Sequence, residues 1–495
     1  MKHTDAVSNN RITDSEVKNS NAKNTVQSLT SILSQQQLEY KLSPSPSIDY
    51  RKEQLTALKA ALLSHQDKLV EALNKDYGQR AKQDTLIADI LPCVMNINYT
   101  LKNLKKWAKP QRRHAGLLLS SAKVTVHYQP LGVIGIMVPW NFPVMLSIGP
   151  LIGALAAGNR AMIKLSEFTP ATNTIITAML SSIFDTKTVA LVEGEADVAA
   201  AFSALPFNHL VFTGSTNIGR HVMRAAANNL TPVTLELGGK SPVIIADDMP
   251  IETAVERLIF GKCLNAGQIC VAPDYIFCPE DKVDDFIAAY QKQFKKMYPK
   301  FSSDVNNENT DYANIINDTQ HKRLLAWLDE AIDKGARVVS ANGGEIDRSS
   351  RQLATQLITQ VTDDMQLMQE EIFGPLLPII PYKELDNVIH CINDRPRPLA
   401  LYIMSFDKTT QQLLLDKTHS GGVCINDTIM HVAADDAPFG GIGDSGMGHY
   451  HGKEGFLTFS KAKTVLVQGK INIGKLVHPP YGSFIQKLML KLFMR

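Results

Sequence analysis

The chain has 495 residues, 44% hydrophobic and 20% charged, enough for a large core spread over two or three domains. Lys and Arg number 51 against 49 Asp and Glu, a net charge of +2, so the basic excess expected of a nucleic-acid binder is missing. Six cysteines (Cys93, Cys263, Cys270, Cys278, Cys391 and Cys424) form neither a disulfide framework nor a CxxC zinc pair. With no apolar leader and no run of ~18–20 apolar residues, the expectation is a soluble cytoplasmic protein.

Residues 1–35 are rich in Asn, Ser, Thr, Gln and Lys, and the composition predicts a disordered polar tail. Asp49 can cap a helix from Tyr50 to about Asn74, with Leu55, Leu58, Leu62, Leu63, Leu69 and Leu73 at helical spacing. A second helix is expected from Thr85 to Ala108, stopped by Pro110. Alternation over Lys123 to Gln129 predicts a half-buried strand.

From Gly132 onward short apolar runs alternate with helical stretches. GVIGIMVP, AMIKLS, TVALVEG and HLVFTG are separated by helices near Met145–Ala157, Thr172–Phe184 and Ala196–Ala204, and a fourth follows from Ser215 to about Asn228. Continuous apolar strands divided by helices predict an α/β protein with parallel sheet covered on both faces. A second cycle begins at PVIIAD and continues through helices at Glu252–Cys263 and Lys282–Met297. Ser483 to Arg495 sets Phe484, Ile485, Leu488, Leu490, Leu492 and Phe493 among Lys487, Lys491 and Arg495. That pattern suits a basic amphipathic helix at a membrane surface, or a helix docked on its own protein or a partner subunit.

Six local patterns carry candidate chemistry. Cys270 ends Asn265-Ala-Gly-Gln-Ile-Cys270 and is either an activated thiol or a buried small hydrophobe. Glu236, in Leu235-Glu-Leu-Gly-Gly-Lys240, is a carboxylate among apolar neighbours, either a general base with a raised pKa or a satisfied structural group. Asn141, between Pro139 and Pro143, is a rigidly held amide, able to donate to an oxyanion or to its own backbone. Gly214, Ser215 and Gly219 open a helix whose N-terminus suits a phosphate or is simply capped. Lys164 and Glu167 follow a strand at the sheet end where ligands bind, or are merely exposed. Glu371 and Phe373 lie in Glu370-Glu-Ile-Phe-Gly-Pro375, a rigid loop with one aromatic. The pair His449 and His451 lacks a third ligand at metal spacing and reads as exposed loop histidines, so no metal site is assigned.

Taken in order, PWNFP, FTGST, LELGGK, GQIC and EEIFGP resemble the aldehyde dehydrogenase superfamily over about Asp49 to Val467. PFGGIGDSGMGHYHGKEGF and NAGQICVAPDY are similar to its class 3, fatty and coniferyl aldehyde dehydrogenase branch. The resemblance implies oxidation of an aldehyde to its acid with NAD, NADP remaining possible, through a thiohemiacetal and thioester on Cys270. Glu236 is then the base and Asn141 the oxyanion donor. Lys164, Glu167, Gly214, Ser215, Gly219, Gly238, Glu371 and Phe373 would be cofactor contacts. It implies a Rossmann-type cofactor domain at 36–234, a catalytic domain at 235–427, and a return at 428–468. A bridging sheet from 122–128 and 456–468 would join a homodimer, and a C-terminal basic segment would occupy 469–495. Hydroxycinnamyl, aromatic and long-chain aldehydes all fit, with walls from the 85–108 helix and the Asp427–Ala437 loop. A CoA-acylating enzyme and a non-catalytic relative are the alternatives.

Overall fold

The computed structural model describes residues 14–116, 119–301 and 311–494. Three sheets organise them. The first has six strands in the order Gly446–Met447, Val233–Glu236, His209–Thr213, Val133–Met137, Arg160–Lys164 and Val189–Val192. Five run parallel, and only Gly446–Met447 is antiparallel. Their side chains are almost wholly buried, which is why they read as unbroken apolar runs.

The second sheet has seven strands: Arg337–Ser340, Gln356–Thr359, Leu376–Tyr382, Tyr275–Pro279, Pro242–Ile245, Ala400–Met404 and Gly422–Ile425. All its pairings are parallel except the first. The third sheet is antiparallel, with Ala122–Pro130 between Gln111–Arg113 and Ser460–Gln468. Phe456, expected in this sheet, lies in the helix Gly452–Thr458, its ring against Trp107 and Tyr128. The strand Val233–Glu236 belongs to the first sheet, pairing Leu235 with Phe212 and Glu236 with Thr213. The division expected before Leu235 cuts through this strand.

The expected N-terminal tail is corrected from residue 14 onward, while residues 1–13 lie outside the described residues. Asp14–Leu42 is one helix. Leu29 and Leu33 are buried in the core formed by Val133, Phe202 and Leu210. Gln36 is wholly buried, and its Nε2 donates to the carbonyls of Ala161 and Thr186, each at 2.9 Å. The average polarity of the segment conceals a narrow stripe at Leu29, Ile32, Leu33 and Gln36, one face of a helix.

The next helix, Ile48–Tyr77, starts earlier than expected because Ser47 caps it, its Oγ accepting from Tyr50 N at 3.1 Å. The helix expected over 85–108 is broken into Lys82–Thr85, a π turn at Leu86–Ile90, and Leu91–Trp107. Pro92 cannot donate a backbone hydrogen bond, so the regular ladder is interrupted there. The interruption presents Asp89, fully buried, to Arg80 at 2.8 Å and to the N–H groups of Val144 and Met145 at 3.2 and 3.1 Å. Asp89 thereby satisfies the otherwise orphaned first turn of Pro143–Ala157.

Candidate active site

A cleft of about 1110 Å³ opens between the two large sheets. One side is formed where strands of the first sheet end, at Thr213 and Glu236. The other is formed by loops leading into strands of the second sheet, at Lys240, Cys270, Glu371 and Arg397. The first sheet thus follows the rule that ligands gather at carboxyl ends of parallel strands.

Cys270 reaches the cleft through an unusual turn. The helix Ile251–Cys263 gives way to Asn265, Ala266 and Gly267 at φ of 50°, 54° and 73°. Left-handed geometry costs about 1–2 kcal/mol for a residue such as Ala266, so surrounding contacts must hold it. Asn265 Nδ2 donates to Tyr77 Oη at 3.2 Å and to the Asn141 and Gln268 carbonyls at 3.3 Å. Gln268 Nε2 donates to the carbonyls of Asn265 and Asn314 at 2.9 and 3.0 Å. Gly267 can have no Cβ, which would lie 2.6 Å from the Gly374 carbonyl oxygen. The thiol is half-buried, and burial, then the carboxylates of Glu371 and Glu236, push its pKa up to about 12. The backbone N–H groups of Cys270 and Val271 act in the opposite direction.

Glu236 ends its strand with the carboxylate inside the protein. Neither oxygen has a hydrogen-bond partner, and burial raises its pKa well above the usual carboxylate range. Asn141 is also buried. Its Nδ2 donates to the Gln268 carbonyl at 3.2 Å, and its own carbonyl accepts from Tyr77 Oη and Arg80 Nη1, both at 3.1 Å. One amide hydrogen of Asn141 is left for another acceptor.

Asn141, Gly214, Ser215, Glu236, Gly238, Cys270, Glu371 and Phe373 line this one cleft. Gly214 N donates to the Glu236 carbonyl at 3.1 Å, and Ser215 caps the helix Thr216–Ala227. Phe373, at φ 47°, meets Trp140 edge-on at 5.3 Å. Lys164, Glu167 and Gly219 do not line the cleft. Lys164 ends a strand three places along the sheet from Glu236, roughly 14 Å at the usual interstrand spacing. It is buried, with Nζ on the Leu165 carbonyl at 2.8 Å and on Glu167 at 3.3 Å. Gly219 packs beneath Leu237, where a Cβ would lie 2.7 Å from Cδ2.

Four charged residues with structural work at the site escaped the sequence patterns: Arg80, Asp89, Asp274 and Arg323. Asp274 pairs with Lys240, and Arg323 Nη2 donates to the Ile372 carbonyl at 2.8 Å. A buried acid four residues after Cys270 was the available signal for Asp274. His451 corrects the expectation of exposed loop histidines. It is buried, stacked on Phe439 at 5.3 Å, and burial lowers its pKa to about 4. Among the described residues, no cluster of three or more His, Cys, Asp or Glu is placed to hold a metal ion.

Two α/β sheets facing each other across a cleft, with a thiol, a buried carboxylate and a capped helix end inside it, define a nucleotide-dependent oxidoreductase of the aldehyde-oxidising class. The chain belongs to the aldehyde dehydrogenase family, whose model matches residues 9–465. It is 52% identical to the "probable coniferyl aldehyde dehydrogenase" of Pseudomonas aeruginosa, over 95% of this chain and 97% of that one. A substrate-bound state of Staphylococcus aureus AldH superposes with a TM-score of 0.88 at 38% identity, over 94% and 99% of the two chains. A Mycobacterium tuberculosis aldehyde dehydrogenase complexed with NAD+ gives 0.80 at 26% identity, over 90% and 91%. The protein is an NAD(P)-dependent enzyme that oxidises an aldehyde to its acid.

The residues present fit such a cofactor. The N-terminus of Thr216–Ala227 opens into the cleft for a pyrophosphate. Gly238 leaves its Cα bare beside the Glu371 carboxylate, an acceptor that would suit ribose hydroxyls.

Proposed function

We propose that Cys270 is the nucleophile, Glu236 the general base and Asn141 the oxyanion donor. The observation that carries this reading is electrostatic. Burial, then Glu371 and then the buried, unpartnered Glu236 carboxylate raise the pKa of the Cys270 thiol, in a cleft that also holds the Asn141 amide. Burial keeps both acids protonated to higher pH than in water.

The Cys270 sulfur bonds to the aldehyde carbon as its proton leaves to solvent. The carbonyl oxygen, now an oxyanion, takes the free amide hydrogen of Asn141 and the N–H of Cys270. NAD(P), when bound, supplies a hydride acceptor, the one function no side chain provides. With the acyl group held as a thioester, Glu236 removes a proton from water. The resulting hydroxide attacks the carbonyl, and the C–S bond breaks to give the acid and the free thiol.

For the cofactor, Gly214, Ser215 and Gly219 shape the pyrophosphate end, Glu371, Phe373 and Gly238 the nicotinamide end, and Lys164 with Glu167 the adenosine ribose. The Glu167 carboxylate opposes a 2′-phosphate, so NAD is preferred. A hydroxycinnamyl aldehyde is the favoured substrate, on the strength of the Pseudomonas aeruginosa relative's name. The expected walls suit a planar ring and an aliphatic chain alike. Met95 and Met430 are exposed, and Asn96 Nδ2 donates to Asp435 at 3.1 Å while Tyr99 bonds Asp436, joining helix to loop.

A homodimer fits the exposed edge strand Ser460–Gln468, which has unpaired backbone groups to offer. No described helix is long and apolar enough to cross a membrane. The helix Phe484–Phe493 leaves Phe484 80% exposed beside Lys487 and Lys491, which supports a weak surface contact with a bilayer. Six free cysteines suit a reducing cytoplasm.

Absorbance of the reduced nicotinamide, followed with coniferyl, aromatic and long-chain aldehydes, tests the assignment. Cys270→Ala should be inactive, and Glu236→Gln should release one burst and stall. Full activity in Cys270→Ala overturns the roles, and turnover only with added CoA moves the protein to the acylating reading.

A further inference from the structure

The LELGGK segment ends in a charged residue that catalysis does not use. Lys240 is nearly buried, yet its ammonium is fully occupied. It pairs with Asp274 and donates to the carbonyls of Leu367 at 2.7 Å and Glu370 at 3.0 Å. Its Nζ also sits 5.6 Å from the centre of the Tyr275 ring. Asp274 uses its other oxygen to accept from Ile372 N at 2.9 Å, and its own N–H donates to the Ser241 carbonyl at 2.9 Å.

Three segments distant in sequence therefore meet at one ion pair. Lys240 comes four residues after Glu236, Asp274 four residues after Cys270, and the carbonyl of Glu370 and N–H of Ile372 flank Glu371 on both sides. A backbone gripped on each side of one residue leaves that side chain few orientations. The Glu371 carboxylate is held against Gly238 so closely that a Cβ there would lie 2.0 Å from it. The N–H of Gly239 also supports that carboxylate.

We propose that Lys240 and Asp274 are positioning residues that fix the Glu371 carboxylate for the nicotinamide ribose, tying the base strand, the nucleophile loop and the cofactor loop into one register. The proposal rests on the cofactor role assigned to Glu371 above and adds the pair that sets its place and its charge. A buried pair replaceable by apolar packing would be merely structural. This pair differs in having both members bonded to the backbone on either side of a single carboxylate.

The electrostatics give the pair a signature. Glu371 is raised to about 8, first by burial and then by the Asp274 carboxylate; Gly239 N–H, Lys240 and Arg323 lower it. The Cys270 thiol faces the same carboxylate, and stays neutral through this range. Removing the Lys240 cation must therefore raise the Glu371 pKa, and removing the Asp274 anion must lower it. Loosened packing alone would not produce shifts of opposite sign.

The test measures KM for NAD against pH in the full-length enzyme for Lys240→Met, Asp274→Asn, Glu371→Gln and the double variant Lys240→Met/Glu371→Gln. Lys240→Met should raise KM for NAD about ten- to a hundredfold, the range of a lost hydrogen bond to a charged group, with KM for the aldehyde nearly unchanged. Its pH inflection should move up, and that of Asp274→Asn down. In the Glu371→Gln background the Lys240 substitution should add little, as expected for residues acting through one group. Asp274→Asn keeps the shape of the pair and carries the test if Lys240→Met does not fold. Independent, multiplying effects, or pH shifts of the same sign, overturn the proposal. An unchanged KM for NAD in Glu371→Gln overturns the cofactor role of Glu371, and the proposal with it.

Discussion

Glu371 occupies the space that a side chain at Gly238 would fill. A Cβ on residue 238 would lie 2.0 and 2.3 Å from the two carboxylate oxygens, closer than any contact real atoms sustain. Gly238→Ala therefore has to expel a buried carboxylate from its place. KM for NAD should rise by about tenfold or more, on the scale of one lost charged hydrogen bond, while alkylation of Cys270 by iodoacetamide should be little affected. Wild-type KM in this variant would show that Glu371 moves freely.

Asn141→Ala removes the proposed side-chain donor to the oxyanion and its bond to the Gln268 carbonyl. The kcat should fall by about 10²–10³, the usual cost of one such donor, with KM for NAD unchanged. Steady-state kinetics at saturating cofactor provide the check.

Glu236 couples stability to pH. Its folded pKa lies well above that of the unfolded chain because burial disfavours the anion. Below the unfolded value, about 4.5, both states are protonated and the contribution is fully present. As pH rises toward the folded value, only the unfolded state releases its proton, so stability is lost by up to about 1.4 kcal/mol per pH unit. Glu236→Gln removes this loss. Its Tm advantage over wild type should widen between pH 5 and pH 8, as read by thermal melts across that range.

Arg80 and Asp89 are both fully buried, 2.8 Å apart. Arg80→Leu leaves a carboxylate in the core without its cation, at a cost of about 3–5 kcal/mol. It also removes the Nη1 bond to the Asn141 carbonyl. Chemical denaturation should show the loss, and kcat should fall with it if the residual fold is native.

Leu33→Ala tests the N-terminal helix. Leu33 is 2% exposed against the six-stranded sheet, so truncation should cost about 2–5 kcal/mol. An unchanged denaturation midpoint would mean the helix is only loosely attached.

The α/β class, the strand runs between Val133 and Glu236 and most helix starts were legible because each depends on neighbours within a turn or a strand. Ser215 caps its helix through an N–H three residues away. The motifs around Asn141, Glu236, Cys270 and Glu371 were legible through resemblance, and the fold brings all four to one cleft. The helix Asp14–Leu42 was not, since the burial of Leu29, Leu33 and Gln36 depends on a sheet more than a hundred residues away.

By itself the sequence determined the alternation of helix and strand and which short segments can carry chemistry. Periodicity, capping and backbone freedom are local, and each acts over a few residues. Only the tertiary structure decided that Asp89 caps the helix Pro143–Ala157, that Glu371 lies on Gly238, and that Lys240 meets Asp274. Such contacts are short-range in space but join distant parts of the chain. Burial and charge act on a side chain through whatever folding places beside it, so the pKa values of Glu236, Cys270 and Glu371 follow from the assembled fold.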